Sequence, residues 1–214
     1  MNKGFFLVFE GGEGTGKSTV AKWLKNELEN HGKIVYLTRE PGGNGSLVAE
    51  KIRDIILDKN NNIFSETEAL LFAASRAQHV REVIKPHLDK GGIVICDRFV
   101  YSSYAYQGGG RELKVENIRK INELAINECL PDLILLLDLE PSIGLQRKRQ
   151  ARQDFDRLDD EILSFHQKVR ETYLNLSQEN PKLIIVINAA KPLEEVKKEV
   201  WQHVKKRLRK GGSK

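Results

Sequence analysis

Five short apolar runs alternate with longer amphipathic segments along the chain. Each run is almost continuously apolar, as expected for strands that are buried on both faces of a parallel sheet. The runs are Phe5–Phe9, Ile34–Leu37, Ile93–Cys96, Leu133–Leu137 and Leu183–Ile187. The amphipathic segments lie near 18–30, 46–58, 65–90, 114–129, 141–178 and 192–209. This alternation predicts an α/β protein with a five-stranded parallel sheet and helices on both of its faces.

The length of 214 residues fits one domain spanning 1–214, since neither an internal repeat nor a linker divides it. No apolar run approaches the roughly 20 residues of a membrane span, and the N-terminus lacks the pattern of a signal peptide. We therefore expect no membrane partner. The two cysteines, Cys96 and Cys129, are too few for a disulfide framework. Buried, reduced thiols and a cytoplasmic location are expected.

The net charge of +5 is concentrated at the C-terminus, where nine Lys and Arg residues face three Glu residues from Lys191 onward. A basic tail can bind nucleic acid or a membrane surface. Apolar residues at helical spacing through 192–209 instead predict an amphipathic terminal helix with a solvated basic face. We therefore expect no nucleic-acid partner.

The strongest motif is Gly11-Gly-Glu-Gly-Thr-Gly16-Lys17-Ser18, which matches the P-loop pattern G-x-x-x-x-G-K-[ST]. It follows the first apolar run and opens a helix. Glycines let several backbone N–H groups converge on phosphate oxygens, and the helix N-terminus adds partial positive charge. The lysine can reach the β- and γ-phosphates of ATP, and the Ser18 hydroxyl can bind Mg²⁺. The predicted ATP-binding residues are Gly11, Gly12, Glu13, Gly14, Thr15, Gly16, Lys17, Ser18 and Thr19.

Asp97 and Arg98 follow the third apolar run. Ligands gather at the carboxyl ends of parallel strands, so both side chains are expected beside the P-loop. The carboxylate can hold Mg²⁺ directly or through water, and the guanidinium can bind a phosphate. The alternative is an ion pair at the strand end.

A basic run from Gln146 to Arg157 follows the fourth apolar run. It is either a solvated helix face or a lid that supplies arginine to a transferring phosphoryl group. The P-loop contains no arginine, which favours a lid at about 141–157. The candidate catalytic residues there are Arg147, Arg149 and Arg152.

Phe72 and Arg76 lie one helical turn apart in the segment near 65–90. Such a pair can stack on a base and bind its edge, although Phe72 taken alone is more typical of a core position.

From about residue 5 to 205, the chain resembles the bacterial thymidylate kinases. This family of nucleoside monophosphate kinases has the three-layer P-loop NTPase fold. The residues that carry the resemblance are Phe9-Glu-Gly-Gly-Glu-Gly-Thr-Gly-Lys-Ser-Thr19, Thr38-Arg-Glu-Pro-Gly-Gly43, Leu71-Phe-Ala-Ala-Ser-Arg76, Asp97-Arg98 with Ser102-Ser-Tyr-Ala-Tyr-Gln107, and Asp156-Arg157. The P-loop is shared by many families, whereas the combination with the other motifs is far more specific. Small departures occur at Asn44, Phe99 and Asp159.

The resemblance implies a role for each matching residue. Phe72 would stack on thymine, Arg76 would bind the base, and Arg98 would hold the acceptor phosphate. Tyr106 would press on the sugar near C2′, which excludes a ribose hydroxyl, and Glu13 would accept a hydrogen bond from the 3′-hydroxyl. Further residues would line the base pocket or lie beside the sugar and phosphate: Arg39, Glu40, Pro41, Ser103 and Gln107.

The resemblance also implies the reaction, which is transfer of the γ-phosphoryl group of ATP to dTMP with Mg²⁺. Because Gly14 stands where one form of the family carries a P-loop arginine, the catalytic arginine is expected in the lid. The family likeness implies a homodimer. Two alternatives remain open from the residues, namely a kinase for another deoxynucleotide or nucleoside and a nucleic-acid-associated P-loop ATPase. A GTPase is disfavoured because its Asn-Lys-x-Asp motif does not occur.

Overall fold

A five-stranded parallel sheet lies at the centre of the computed structural model, which describes residues 4–151 and 156–211. Its strand order is β2-β3-β1-β4-β5, and all four pairings are parallel. The strands are β1 (Phe5–Glu10), β2 (Val35–Arg39), β3 (Ile93–Asp97), β4 (Leu133–Asp138) and β5 (Ile184–Asn188). The predicted all-parallel sheet is confirmed.

Helices cover both faces of the sheet. The described α-helices are α1 (Lys17–Asn30), α2 (Leu47–Leu57), α3 (Ser65–His79), α4 (Lys85–Asp89), α5 (Val100–Ser103), α6 (Val115–Ile126), α7 (Pro141–Gln150), α8 (Leu163–Glu179) and α9 (Leu193–Gly211). Two π-helical segments, Val80–Ile84 and Tyr104–Gly110, continue α3 and α5.

The alternation of side chains along β1 divides the core in two. Phe6 and Val8 pack on the face covered by α2, α3, α6 and α8. Leu7 and Phe9 pack on the opposite face, against α1 and α9. All four side chains are buried. Burial on both faces is why the strand reads as a continuous apolar run.

The amphipathic segment 141–178 contains two helices, since α7 ends at Gln150 and α8 begins at Leu163. Gly108, Gly109 and Gly110 lie in the second π-helical segment. A Cβ on Gly109 would lie 2.0 Å from Thr172 Oγ1 of α8. Glycine at this position therefore allows α8 to pack closely against the π-helical segment.

The structure agrees with the predicted free cysteines and amphipathic terminal helix, with one exception. Both thiols are free, and Cys96 is buried, but Cys129 is only partly buried. The apolar side of α9 packs on the sheet through Val196, Val200 and Val204. Within the described residues, no helix is both long and apolar enough to cross a membrane.

Candidate active site

The P-loop connects β1 to α1 through glycines whose backbones require them. Gly11 has φ +138°, and a Cβ there would lie 2.4 Å from the carbonyl oxygen of Leu137. Gly14 has φ +62°, and its Cβ would lie 2.0 Å from the carbonyl oxygen of Gly144 in α7. The loop therefore packs closely between β4 and α7, and larger side chains at Gly11 and Gly14 would push these elements apart.

Lys17 lies inside this loop. Its Nζ donates to the carbonyl oxygen of Gly12 at 2.7 Å and to Thr15 Oγ1 at 3.3 Å. Burial, followed by the positive charge of Arg98, lowers the pKa of Lys17 to about 8. The amine thus lies among backbone dipoles in a site suited to anionic oxygens.

Ser18 and Asp97 are brought together by the sheet. Asp97 ends β3 beside Phe9 of β1, and Ser18 Oγ donates to Asp97 Oδ2 at 2.5 Å. A hydroxyl and a carboxylate oxygen are suitable ligands for Mg²⁺, which keeps several waters and needs few protein oxygens. Among the described residues, no cluster of three or more His, Cys, Asp or Glu residues forms a separate metal site.

Arg98 reaches across to the P-loop from a left-handed backbone position with φ +70°. Its guanidinium donates to Glu13 Oε1 at 2.6 Å and to the carbonyl oxygen of Gly11 at 2.8 Å, and it lies over the Tyr106 ring. Burial would raise the pKa of Glu13, but Arg98, Lys17 and Lys148 together lower it to about 2. Glu13 is therefore a fixed anion among three cations.

A buried carboxylate that sequence reasoning missed holds the Arg98 segment in place. Glu10, fully buried at the end of β1, accepts from the backbone N–H groups of Phe99 and Ser102 at 2.9 and 3.1 Å. The hydroxyls of Ser102 and Tyr173 also donate to it, at 2.6 and 2.8 Å. Burial raises the pKa of Glu10 even though these donors oppose the shift. The arginine's strained backbone is held by this network.

Two cavities meet at this point. The P-loop cavity is lined by Glu13, Gly14, Thr15, Gly16, Lys17, Ser18, Thr19, Asp97, Arg98, Arg147, Lys148 and Ala151. The adjoining cavity is lined by Glu13, Ser18, Arg39, Glu40, Pro41, Arg53, Leu57, Phe72, Asp97, Arg98, Ser102, Tyr106, Gln107, Asp156 and Leu158. Four residues line both cavities, and they are Glu13, Ser18, Asp97 and Arg98. Groups bound in the two cavities would face each other there.

The structure separates the predicted base-binding residues into two layers. Phe72, Tyr106 and Gln107 line the adjoining cavity. Arg76 and Ser103 lie behind it, each 1% exposed, with Arg76 Nη1 donating to Ser103 Oγ at 3.1 Å. Phe72 was predicted either to lie in the core or to contact a base. In the structure it is 7% exposed, packs in the core and also lines the adjoining cavity.

The lid candidates occupy different positions. Arg147 lines the P-loop cavity and donates to the carbonyl oxygen of Ala189 at 3.0 Å. Arg149 is exposed and is not among the residues that line either cavity. Arg152 lies outside the described residues.

Sequence reasoning missed Lys148, which lines the P-loop cavity beside Arg147. Its Nζ donates to Asp159 Oδ2 at 2.5 Å and lies 3.8 Å from Glu13 Oε2. Burial, and then the charges of Glu13 and Asp156, raise the pKa of Asp159 to about 6. The lysine was not singled out because Arg147, Lys148 and Arg149 are consecutive basic residues of α7 and differ in the face of the helix that they occupy.

A second missed residue, Glu68 of α3, connects Arg157 to the cavity wall. Its carboxylate accepts from Gln107 Nε2 at 2.9 Å, from Arg111 Nη2 at 3.1 Å and from Arg157 Nη2 at 2.5 Å. Glu68 is fully buried. Burial would raise its pKa, but these donors lower it, so the carboxylate stays charged. Its signal in the sequence was only an acidic residue on an otherwise apolar helix face.

Comparison with known proteins identifies the family. The family model for thymidylate kinase matches residues 9–200. A thymidylate kinase from Lactobacillus acidophilus is 49% identical over 209 residues, covering 96% of each chain. One from Acholeplasma laidlawii is 48% identical over 205 residues, covering 95% of this chain and all of the relative. The crystal structure of thymidylate kinase from Ehrlichia chaffeensis aligns with a TM-score of 0.76 at 30% identity, over 95% of this chain and 99% of that one. The chain belongs to the thymidylate kinase family.

Proposed function

We propose that this protein transfers the γ-phosphoryl group of ATP to dTMP, giving ADP and dTDP. The observation that carries the proposal is the meeting of the two cavities at Glu13, Ser18, Asp97 and Arg98. A triphosphate on the P-loop and a monophosphate in the adjoining cavity would meet end to end between fixed cations. That arrangement supports in-line phosphoryl transfer.

ATP is the donor in this proposal. The backbone N–H groups of the P-loop and Lys17 bind its phosphates, and Ser18 and Asp97 would hold Mg²⁺, which offsets phosphate charge when bound. Arg147 is the lid arginine with support from its position on the cavity wall. Arg149 and Arg152 remain candidates for closure of the lid over the transferring group.

The adjoining cavity supplies the acceptor contacts. Phe72 stacks on the thymine ring, and Gln107 contacts the edge of the base. Tyr106 is held by a 2.7 Å hydrogen bond to Glu13 Oε1, and its ring leaves little room for a 2′-hydroxyl. Glu13 accepts from the 3′-hydroxyl.

Three further residues form the wall beside the sugar and phosphate, namely Arg39, Glu40 and Pro41. Arg98 donates to Glu13 in the structure. To bind the acceptor phosphate, its guanidinium must redirect part of this hydrogen bonding from Glu13 to the phosphate. A phosphate acceptor is already anionic near neutral pH, so the site needs no general base. Catalysis is positioning and charge neutralisation by Lys17, Arg98 and the lid.

An acceptor panel tests the function. Rates with ATP are measured for dTMP, dUMP, dCMP, AMP and thymidine, with the Lys17→Ala variant as the blank. The proposal expects the largest kcat/KM for dTMP. Thymine differs from uracil by one methyl group, so dUMP should follow by about 10- to 200-fold. A larger kcat/KM for any acceptor other than dTMP would contradict the proposal.

The affinity for ATP is expected to fall as pH rises above about 8. An anionic phosphate favours the charged amine, so the pKa of Lys17 rises from about 8 when ATP binds. Between the free and bound pKa values, binding therefore takes up a proton, and each pH unit costs up to about tenfold in affinity. Calorimetric titration at about pH 7 and about pH 9.5 measures the effect. The Lys17→Met variant should lack it, and a wild-type affinity that does not change with pH would contradict it.

We also infer a homodimer formed through α3 and α6, two helices that pack together. Leu70 of α3 is 57% exposed and Leu124 of α6 is 79% exposed, and exposed large apolar side chains favour an interface. Sedimentation at micromolar concentration tests this, and a monomer there would count against it. Free cysteines agree with action in the reducing cytoplasm.

A further inference from the structure

Arg76 is a buried cation with an unusually complete set of partners. It is 1% exposed, and its Nε donates to Glu40 Oε2 at 2.8 Å. Nη1 donates to Ser103 Oγ at 3.1 Å and to Asn122 Oδ1 at 2.5 Å, while Nη2 donates to the carbonyl oxygen of Phe99 at 3.3 Å. Four of the five guanidinium N–H bonds thus have acceptors among the described residues. The side chain cannot rotate without breaking several of them.

Asn122 differs from the other partners because it comes from α6, whose residues line neither cavity. Its side chain is fully buried. Its Nδ2 donates to the carbonyl oxygen of Ile118 at 2.8 Å. Because the amide nitrogen is committed to that carbonyl, the amide oxygen must face Arg76. The orientation of the amide is therefore fixed by α6 itself.

The network continues from Arg76 to the cavity wall. Glu40, which lines the adjoining cavity, binds Arg76 through Oε2 and lies 3.0 Å from His79 Nδ1 through Oε1. His79 Nε2 lies 2.8 Å from Thr38 Oγ1 of β2. One connected set of polar groups thus joins α6 to the acceptor side of the site.

We propose that Asn122 is a specificity-determining positioning residue that fixes the Arg76 guanidinium, and with it Glu40, against the acceptor cavity. The inference rests on the proposed function, since it assigns the cavity to a nucleotide base. Arg76 can only donate hydrogen bonds. One of its Nη2 N–H bonds has no acceptor among the described residues, since Nη2 donates only to the carbonyl oxygen of Phe99. Held in a fixed direction, this remaining donor favours a base edge with a carbonyl oxygen, as in thymine, over one with an amino group, as in cytosine.

The test compares Asn122→Leu with two reference variants. Leucine has the same branching and the same number of side-chain heavy atoms as asparagine but offers no acceptor to Arg76. Asn122→Asp keeps an oxygen facing Arg76 and serves as the rescue. Asn117→Leu is the matched control, because Asn117 is an exposed asparagine of the same helix whose Nδ2 donates to the carbonyl oxygen of Leu113 at 3.0 Å.

KM for dTMP is expected to rise about tenfold in Asn122→Leu, the loss expected for one hydrogen bond to a charged group. KM for ATP should stay within about twofold, since α6 does not line the P-loop cavity. The ratio of kcat/KM for dTMP over dCMP should fall by about the same factor of ten. Asn122→Asp should stay within about threefold of the wild type in all three quantities, and Asn117→Leu should match the wild type.

The proposal is overturned if folded Asn122→Leu keeps its KM for dTMP, or if its KM values for ATP and dTMP rise together. It is also overturned if Asn122→Asp shows the full loss. Should the leucine variant fail to fold, Asn122→Ser and Asn122→Asp carry the same comparison. If the wild-type panel selects another acceptor, the proposed function fails by itself. The positioning role is then judged on that acceptor, whose KM must still rise in Asn122→Leu while KM for ATP does not.

Discussion

Replacing Lys17 with alanine is expected to lower kcat by about 10²- to 10³-fold, the loss typical of one preorganised donor to a developing negative charge. The amine is largely buried in the wall of the P-loop cavity, where it donates to the carbonyl oxygen of Gly12. Without the Lys17 amine, the negative charge of the phosphoryl-transfer transition state is poorly neutralised. Steady-state rates with ATP and dTMP measure the effect.

The control is Lys22→Ala, which removes an exposed lysine from the same helix. It should retain wild-type kcat within a factor of about two, because an exposed charge away from both cavities contributes little. Circular dichroism should show both variants folded. A Lys17→Ala enzyme with near-normal kcat would remove the P-loop from the proposed mechanism.

Replacing Arg98 with alanine is expected to lower kcat/KM for dTMP by about 10³-fold or more, since arginines that clamp a transferring phosphoryl group contribute on that scale. The guanidinium lies where the two cavities meet and bonds to both Glu13 and the P-loop backbone. Its removal would take away the contact that we propose for the acceptor phosphate, and it would leave Glu13 with less positive charge around it. Binding of ATP should suffer less, because Lys17 and the loop backbone remain.

Arg98→Lys separates charge from geometry. A lysine keeps the positive charge but lacks the planar fork that bonds to several oxygens at once, so an intermediate loss is expected. Arg81→Ala, which removes an exposed arginine that donates to the carbonyl oxygen of Ala77, is the matched control. Loss of ATP binding and dTMP binding in equal measure would show that Arg98 acts on the fold rather than on the acceptor.

Much of the site could be predicted because its chemistry is encoded in short segments. The P-loop needs glycine, lysine and a hydroxyl at fixed spacing, and Asp97 and Arg98 follow a buried strand directly. Parallel strands end at the same edge, so both groups were expected to meet there. The hydrogen bond between Ser18 and Asp97 agrees with that expectation.

The partners of these residues could not be predicted in the same way. Glu10, Glu68 and Asn122 carry no motif that marks them in the sequence, and the partners that they contact are distant in the chain. Lys148 and Arg149 are neighbours in one basic run, yet only Lys148 lines the P-loop cavity. The rotation of α7 against the loop decides this, and the close approach of Gly144 to Gly14 fixes that rotation.

The sequence by itself determined the parallel sheet, the position of the phosphate loop and the types of residue that meet at the strand ends, because periodicity and spacing are local properties of the chain. The tertiary structure alone decided which buried polar groups satisfy each other and which cations enter the cavities. Those outcomes depend on strand order and helix packing, which bring together residues far apart in the chain. A buried charge such as Arg76 is tolerable only where that packing supplies its acceptors.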